Sequence, residues 1–122
     1  MEMVMNESKL ILIADMIASP LAVSTEDGQK IHDAVAAEIR VGGKVSLSFR
    51  GIQTLISAFL NSAVGQLYGE FSDEEIRNCL SIQEMEPDDA VMLKRVIDNA
   101  KLYFSHRESF DQAWKEEVND EE

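Results

Sequence analysis

The sequence predicts a single α/β domain, built on a small, mostly parallel sheet flanked by helices, and three observations carry that reading. Lys9 to Ala14, KLILIA, is a continuous apolar run of the kind that a strand buried on both faces of a parallel sheet shows. Val45, Leu47 and Phe49 alternate with Lys44, Ser46 and Ser48, the period of two that belongs to a strand. Between and after these runs the apolar positions return at the three-and-four spacing of a helix face. Apolar strands alternating with amphipathic helices close, through right-handed crossovers, into a layered sheet. Strands are expected near residues 9 to 14, 44 to 49 and 80 to 84, and helices near 25 to 41, 56 to 68 and 87 to 104.

A chain of 122 residues supports one core, here spanning about residues 9 to 106, followed by an acidic tail at about 115 to 122. The 45% hydrophobic content against 28% charged residues argues for a folded chain. A formal net charge of −12 repels phosphate backbones and anionic headgroups, and no basic cluster offsets it, so neither nucleic acid nor membrane is an expected partner. The single Cys79 cannot form an internal disulfide, and one Cys with two His is too poor in soft ligands for a zinc site. No cofactor is expected, and the compartment that fits is a reducing cytoplasm.

In chain order, Met1 to Ser8 lacks a basic n-region and a cleavage motif, so no signal peptide is expected there. Lys9 to Val23 is apolar, but Asp15 and Pro20 interrupt it and it falls short of the roughly 20 residues that span a bilayer. Ala18 to Ser24 reads as a connection, with a short strand at Leu21 to Ser24 as an option. Ser24-Thr25-Glu26-Asp27 carries helix-start chemistry, a hydroxyl cap followed by acids at the positive end of the macrodipole. Ile31, Ala34, Val35 and Ile39 then share a face, and Gly42-Gly43 stops the helix near Val41.

After Arg50-Gly51 the period changes from two to that of a helix. Ile56, Phe59, Leu60, Ala63, Val64 and Leu67 make a face dense enough to be buried, and Gly65 within it is read as either a close helix-to-sheet approach or an incidental glycine. Ser72 with Glu75 is a capping box that opens a short helix to about Cys79. Pro87, Asp88 and Asp89 suit the first turn of the last helix, whose inner face is Leu93, Val96, Ile97, Ala100 and Phe104. Phe110 to Trp114 reads as a further turn.

The residues that could carry chemistry mostly have plainer readings. His32 and Asp33 are neighbours on a helix, expected to point in different directions as solvated polarity. His106 suits the negative end of the last helix. Glu84, Glu86, Asp88 and Asp89 match no calcium loop and read as helix capping, so no metal site is expected. Cys79 reads as a core thiol, and no glycine-rich phosphate loop is present. An enzyme is therefore not expected.

DGQKIHDAV, GGKVSLSFRGI, SAFLNSAVGQLYGEFSDEEI and LKRVIDNAKLYF resemble the successive blocks of the STAS-like domains of unknown function, small bacterial proteins related to STAS regulators. The similarity runs from about Thr25 to Phe104 and is most specific from Phe59 to Tyr68. It implies a STAS-type fold. In the anti-sigma factor antagonists of that superfamily, a kinase-like partner docks on the loop before the central helix, and phosphate on a serine there switches docking off. Carried onto this chain, the acid before the serine pair falls on Ile56, the first serine on Ser57 and the phosphoacceptor on Ala58, which has no hydroxyl. Leu47-Ser48-Phe49 likewise stands where the family's strand carries Leu-Asp-Phe. Ser57 is the remaining candidate for phosphorylation, and as a helix N-cap it has a sufficient structural role.

The resemblance thus implies a regulatory, protein-interaction module of bacterial signalling, with a histidine-kinase-type ATPase as the kind of partner and Arg50, Gln53, Thr54, Ser57 and Asn61 as its docking residues. The other reading is a small-molecule-binding domain or enzyme that uses the crevice at the carboxyl ends of the strands.

Overall fold

A computed structural model of the chain describes the backbone of residues 8–121 and the side chains of residues 8–105. The elements follow in the order β1 (Lys9–Leu12), α1 (Ile13–Ile17), β2 (Leu21–Ala22), α2 (Thr25–Arg40), β3 (Val45–Ser48), β4 (Thr54–Leu55) and α3 (Ser57–Ala63). A 3₁₀ turn (Gly65–Gly69), α4 (Asp73–Cys79), β5 (Leu80–Gln83) and α5 (Pro87–Glu121) complete it. β1, β3 and β5 pair in parallel with β3 at the centre, so the α/β fold with a small parallel sheet flanked by helices is present.

Register explains which side chains reach the core. Ile11 lies opposite Leu47, which lies opposite Ile82, and Val45 lies between Lys9 and Leu80. Ile11, Val45 and Leu47 are buried on that face, with Leu80 and Ile82 half-buried. The other face carries Leu10, Leu12, Ser46, Ser48, Ser81 and Gln83. There the polar side chains satisfy one another: Ser46 Oγ lies 3.1 Å from Ser81 Oγ, and Gln83 Nε2 donates to Ser46 Oγ at 3.3 Å.

The helix layer is held by α3. Phe59 and Leu60 are fully buried, with Ala63, Val64 and Leu67 beyond them. α2 crosses α3 at Gly28, where a Cβ would lie 2.8 Å from the Phe59 carbonyl oxygen and 2.8 Å from Ser62 Cβ. Ser62 Oγ fills the same junction by donating to the Thr25 carbonyl at 2.9 Å. The caps are as the chemistry requires. Ser24 Oγ accepts from Asp27 N, and Ser72 and Glu75 close a reciprocal capping box. α2 ends at Val41, with Gly42 at φ +76.

Several boundaries differ from expectation for physical reasons. The first strand stops at Leu12, because Ile13 and Ile17, one turn apart, bury themselves as the inner face of α1. A continuous apolar run does not by itself distinguish a strand from a buried helix. The option at Leu21 to Ser24 is realised as β2, and it pairs in parallel with the unexpected β4 in a second sheet. The helix expected over 56 to 68 is broken at Val64 into α3 and the 3₁₀ turn. Gly65 meets Asn61 and α5, not the sheet: its Cβ would sit 2.6 Å from Asn61 Oδ1 and 3.5 Å from a Val96 methyl. α5 continues beyond 104 to Glu121. Among its described side chains Leu93, Val96 and Ala100 are buried, with Ile97 and Phe104 half-buried. The side chains of His106, Phe110, Trp114 and the acidic tail lie outside the described residues. Among the described residues no helix is long and apolar enough to cross a membrane.

Candidate functional site

The turn after the central strand is anchored to the end of β5 and to the residue before β2. Ser48, almost completely buried, donates from Oγ to Glu84 Oε1 at 2.8 Å and accepts from the Arg50 amide at 3.2 Å. Glu84 holds a left-handed φ of 57, a conformation that costs a non-glycine residue roughly 1–2 kcal/mol and is held here by the strand ends that meet at it. Phe49 N donates to the Gln83 carbonyl at 3.0 Å, and Gly51 at φ +84 reverses the chain. The chain then runs against β2: Gln53 N and Thr54 N donate to the Pro20 carbonyl, and Ile56 N to that of Ala22.

Leu21 lies opposite Thr54 and Ala22 opposite Leu55 in this small sheet. Ala22 and Leu55 point inward and are buried, which turns Leu21, Val23, Thr54 and Ile56 outward. Three of those four are large and apolar, with 45% of Leu21, 40% of Val23 and 38% of Ile56 exposed. Arg50, Gln53 and Ser57 are exposed residues on the same loop and helix start. Arg50, Gln53, Thr54 and Ser57 therefore occur together around an apolar face. Asn61, one turn further along α3, lines a different cavity.

Two expectations at this site are corrected. Ile56 leaves the core because its extended backbone (φ −120, ψ 159) belongs to the strand side of the junction, whereas the helical spacing placed it inside. Ile56 is also the N-cap of α3, so Ser57 is the first helical residue and its side chain makes no capping hydrogen bond. Leu21 and Val23 had a signal in the large-small-large alternation Leu21-Ala22-Val23, which a two-residue strand makes faint.

His32 departs furthest from its expected place. It is 5% exposed, its Nδ1 lies 3.0 Å from Asp33 Oδ1, and its Nε2 lies 3.1 Å from each oxygen of Glu70. Gln29 Nε2 donates to Asp33 at 2.9 Å and lies 3.2 Å from Nδ1. Arg40 reaches Glu70 at 3.8 Å and stands 5.9 Å over the Phe71 ring. The group clasps α2 to the segment after the 3₁₀ turn, and among the described residues no nucleophile bonds the imidazole.

The hydrogen bond from His32, followed by that from Gln29, holds the Asp33 carboxyl below its ordinary value of 3.8. A depressed folded-state value adds stability above the unfolded value, and that stability is lost as the pH falls through the folded one. The stability advantage of the parent over Asp33→Asn is therefore expected to shrink as the pH drops below 3.8, measured by urea unfolding at stepped pH. A gap that widens on acidification would contradict it. Burial, followed by the negative charge of Asp73, pushes the Tyr68 phenol up.

Glu84 of the acidic group is engaged by Ser48, while Asp88 and Asp89 sit in the first turn of α5. Among the described residues no group of three His, Cys, Asp or Glu side chains is placed to hold a metal ion. Cys79 is half-buried against the core.

A parallel three-stranded sheet joined to a helix layer, with a pinned turn leading from the central strand into a buried helix, defines a small STAS-like domain. The chain belongs to the family of STAS-like domains of unknown function (DUF4325), whose model matches residues 27–90. Neither a curated protein nor a solved structure matches the chain.

Proposed function

We propose that this STAS-like domain is a non-catalytic regulatory module that binds a protein partner through the outward face of β2 and β4 and the turn beside it. The observation that carries the reading is the exposure of Leu21, Val23 and Ile56 together, bordered by Arg50, Gln53, Thr54 and Ser57. An apolar centre rimmed by polar groups is the usual anatomy of an interface. Resemblance to the anti-sigma factor antagonists supports the same loop and suggests a histidine-kinase-type ATPase of bacterial signalling as partner. The net charge of −12 suits a partner with a basic rim, and steering of that kind acts more on association rate than on final affinity. With Ala58 at the usual acceptor position and Ser57 one residue away, phosphate at the family's position does not regulate docking. The single cysteine fits residence in the cytoplasm.

The test is capture of the partner by the tagged full chain from its native host. Leu21→Glu, Ile56→Glu and Arg50→Glu are each expected to weaken capture by at least about tenfold, roughly 1.4 kcal/mol. Val91→Glu, at a residue 60% exposed on α5, should not, and all four should melt close to the parent. Equal capture by all four variants would count against the surface.

A further inference from the structure

A second feature lies apart from the docking turn, in the helix layer. α3, the 3₁₀ turn and α5 enclose a half-open cavity of about 440 Å³, lined by Asn61, Gln66, Asn99, Ala100, Tyr103 and Phe104. That volume lies within the roughly 300–1,000 Å³ of small-molecule sites. None of its lining residues comes from the strand ends, where open α/β sheets usually hold ligands.

The lining has an unusual composition for so acidic a chain. Among the described residues it contains no carboxylate, ammonium, guanidinium or imidazole, and the one titratable group among them is the Tyr103 phenol. Three carboxamides meet there, each with one acceptor oxygen and two donor hydrogens. Among the described residues, Asn61, Gln66 and Asn99 make no side-chain hydrogen bond to the protein. Tyr103 and Phe104 stand edge to face, 5.0 Å between centroids at 76°, and Tyr103 is 59% exposed.

Two glycines preserve the walls. At Gly65 a Cβ would lie 2.6 Å from Asn61 Oδ1, so only glycine leaves that carboxamide where it stands without a shift. At Gly69 a Cβ would collide with the Phe104 ring. The two ends of the 3₁₀ turn thus accommodate one polar and one aromatic wall of the same cavity.

The chemistry selects an occupant by elimination. A charged ligand finds no counter-charge among the described lining residues, and a phosphate would also meet the field of a chain at −12. A purely apolar ligand would strip water from three carboxamides and replace it with nothing. A flat, uncharged ring with donors and acceptors on its edge satisfies both demands, since Asn and Gln side chains pair with such an edge and an aromatic face takes the ring. We infer that this cavity binds an uncharged planar heterocycle of the ring-amide or ring-amine type, with Asn61, Gln66 and Asn99 on its edge and Tyr103 on its face.

The experiment is a titration of the ¹⁵N-labelled full chain with adenine, uracil and lumazine, each to about 5 mM, followed through backbone and carboxamide resonances. At least one probe is expected to bind with a Kd below about 1 mM, moving the side-chain amides of Asn61, Gln66 and Asn99. Asn99→Leu and Tyr103→Ala, at exposed positions, should each weaken that probe by at least about tenfold while the remaining spectrum stays that of the folded parent. Silence from all three probes overturns the inference. So does binding that both variants leave intact, or shifts centred on Arg50 and Glu84 at the strand ends.

Discussion

Phe59→Ala is expected to lower the free energy of unfolding by about 3–5 kcal/mol, the largest loss anticipated from a single truncation in this domain. Phe59 has no exposed surface and belongs to the core cluster that joins α3 to the rest of the fold. Its carbonyl also lies at the point where α2 crosses closest, so the neighbours cannot relax fully into the space left by the ring. A domain of this size has a total stability of about 5–15 kcal/mol, and the variant should therefore sit near the edge of folding at physiological temperature. Urea unfolding read by circular dichroism measures it, with the midpoint falling and the slope unchanged. A loss below about 1 kcal/mol would mean that α3 is not the element on which the helix layer is assembled.

Gly28→Ala should reverse the usual sign of a glycine-to-alanine change in a helix. In an open helix the substitution gains roughly 1 kcal/mol. Here the new methyl would stand 2.8 Å from both the Phe59 carbonyl oxygen and Ser62 Cβ, and the first of these is backbone. Forcing α2 and α3 apart is expected to cost about 1–3 kcal/mol, measured by the same unfolding experiment. Adding Ser62→Gly removes one of the two collisions and should recover part of the loss, although it also removes the hydrogen bond to Thr25. A stabilised Gly28→Ala variant would contradict the close crossing.

The three long-range strands were legible because their signal is local: an apolar run at Lys9 to Leu12, alternation at Val45 to Ser48, and a short apolar stretch after the α4 cap. β2 and β4 were not legible in the same way. Each has two residues, too few for a period to show, and each is defined by pairing with a partner more than thirty positions away. Ile56 belonged to the helical pattern by spacing and to the surface by geometry, since the strand-to-helix junction falls at that residue. The burial of His32 depends on Glu70, which lies far along the chain and carries no local mark of the contact. Arg50, Gln53, Thr54 and Ser57 could be grouped from the sequence because a loop and a helix start are contiguous. Asn61 was grouped with them by its place in the sequence, whereas the cavity it lines has no local mark because α5 completes it.

The proposal that the β2–β4 face binds a protein partner is tested most directly by photo-crosslinking from Ile56 in the full chain, in its native host, against the same crosslinker at Val91. The account predicts a protein adduct from Ile56 that is absent from Val91, lost when Leu21 becomes Glu, and weaker as salt screens a basic rim on the partner. Adducts of equal yield from both positions, adducts only to a second copy of this chain, or no adduct from Ile56 would contradict it.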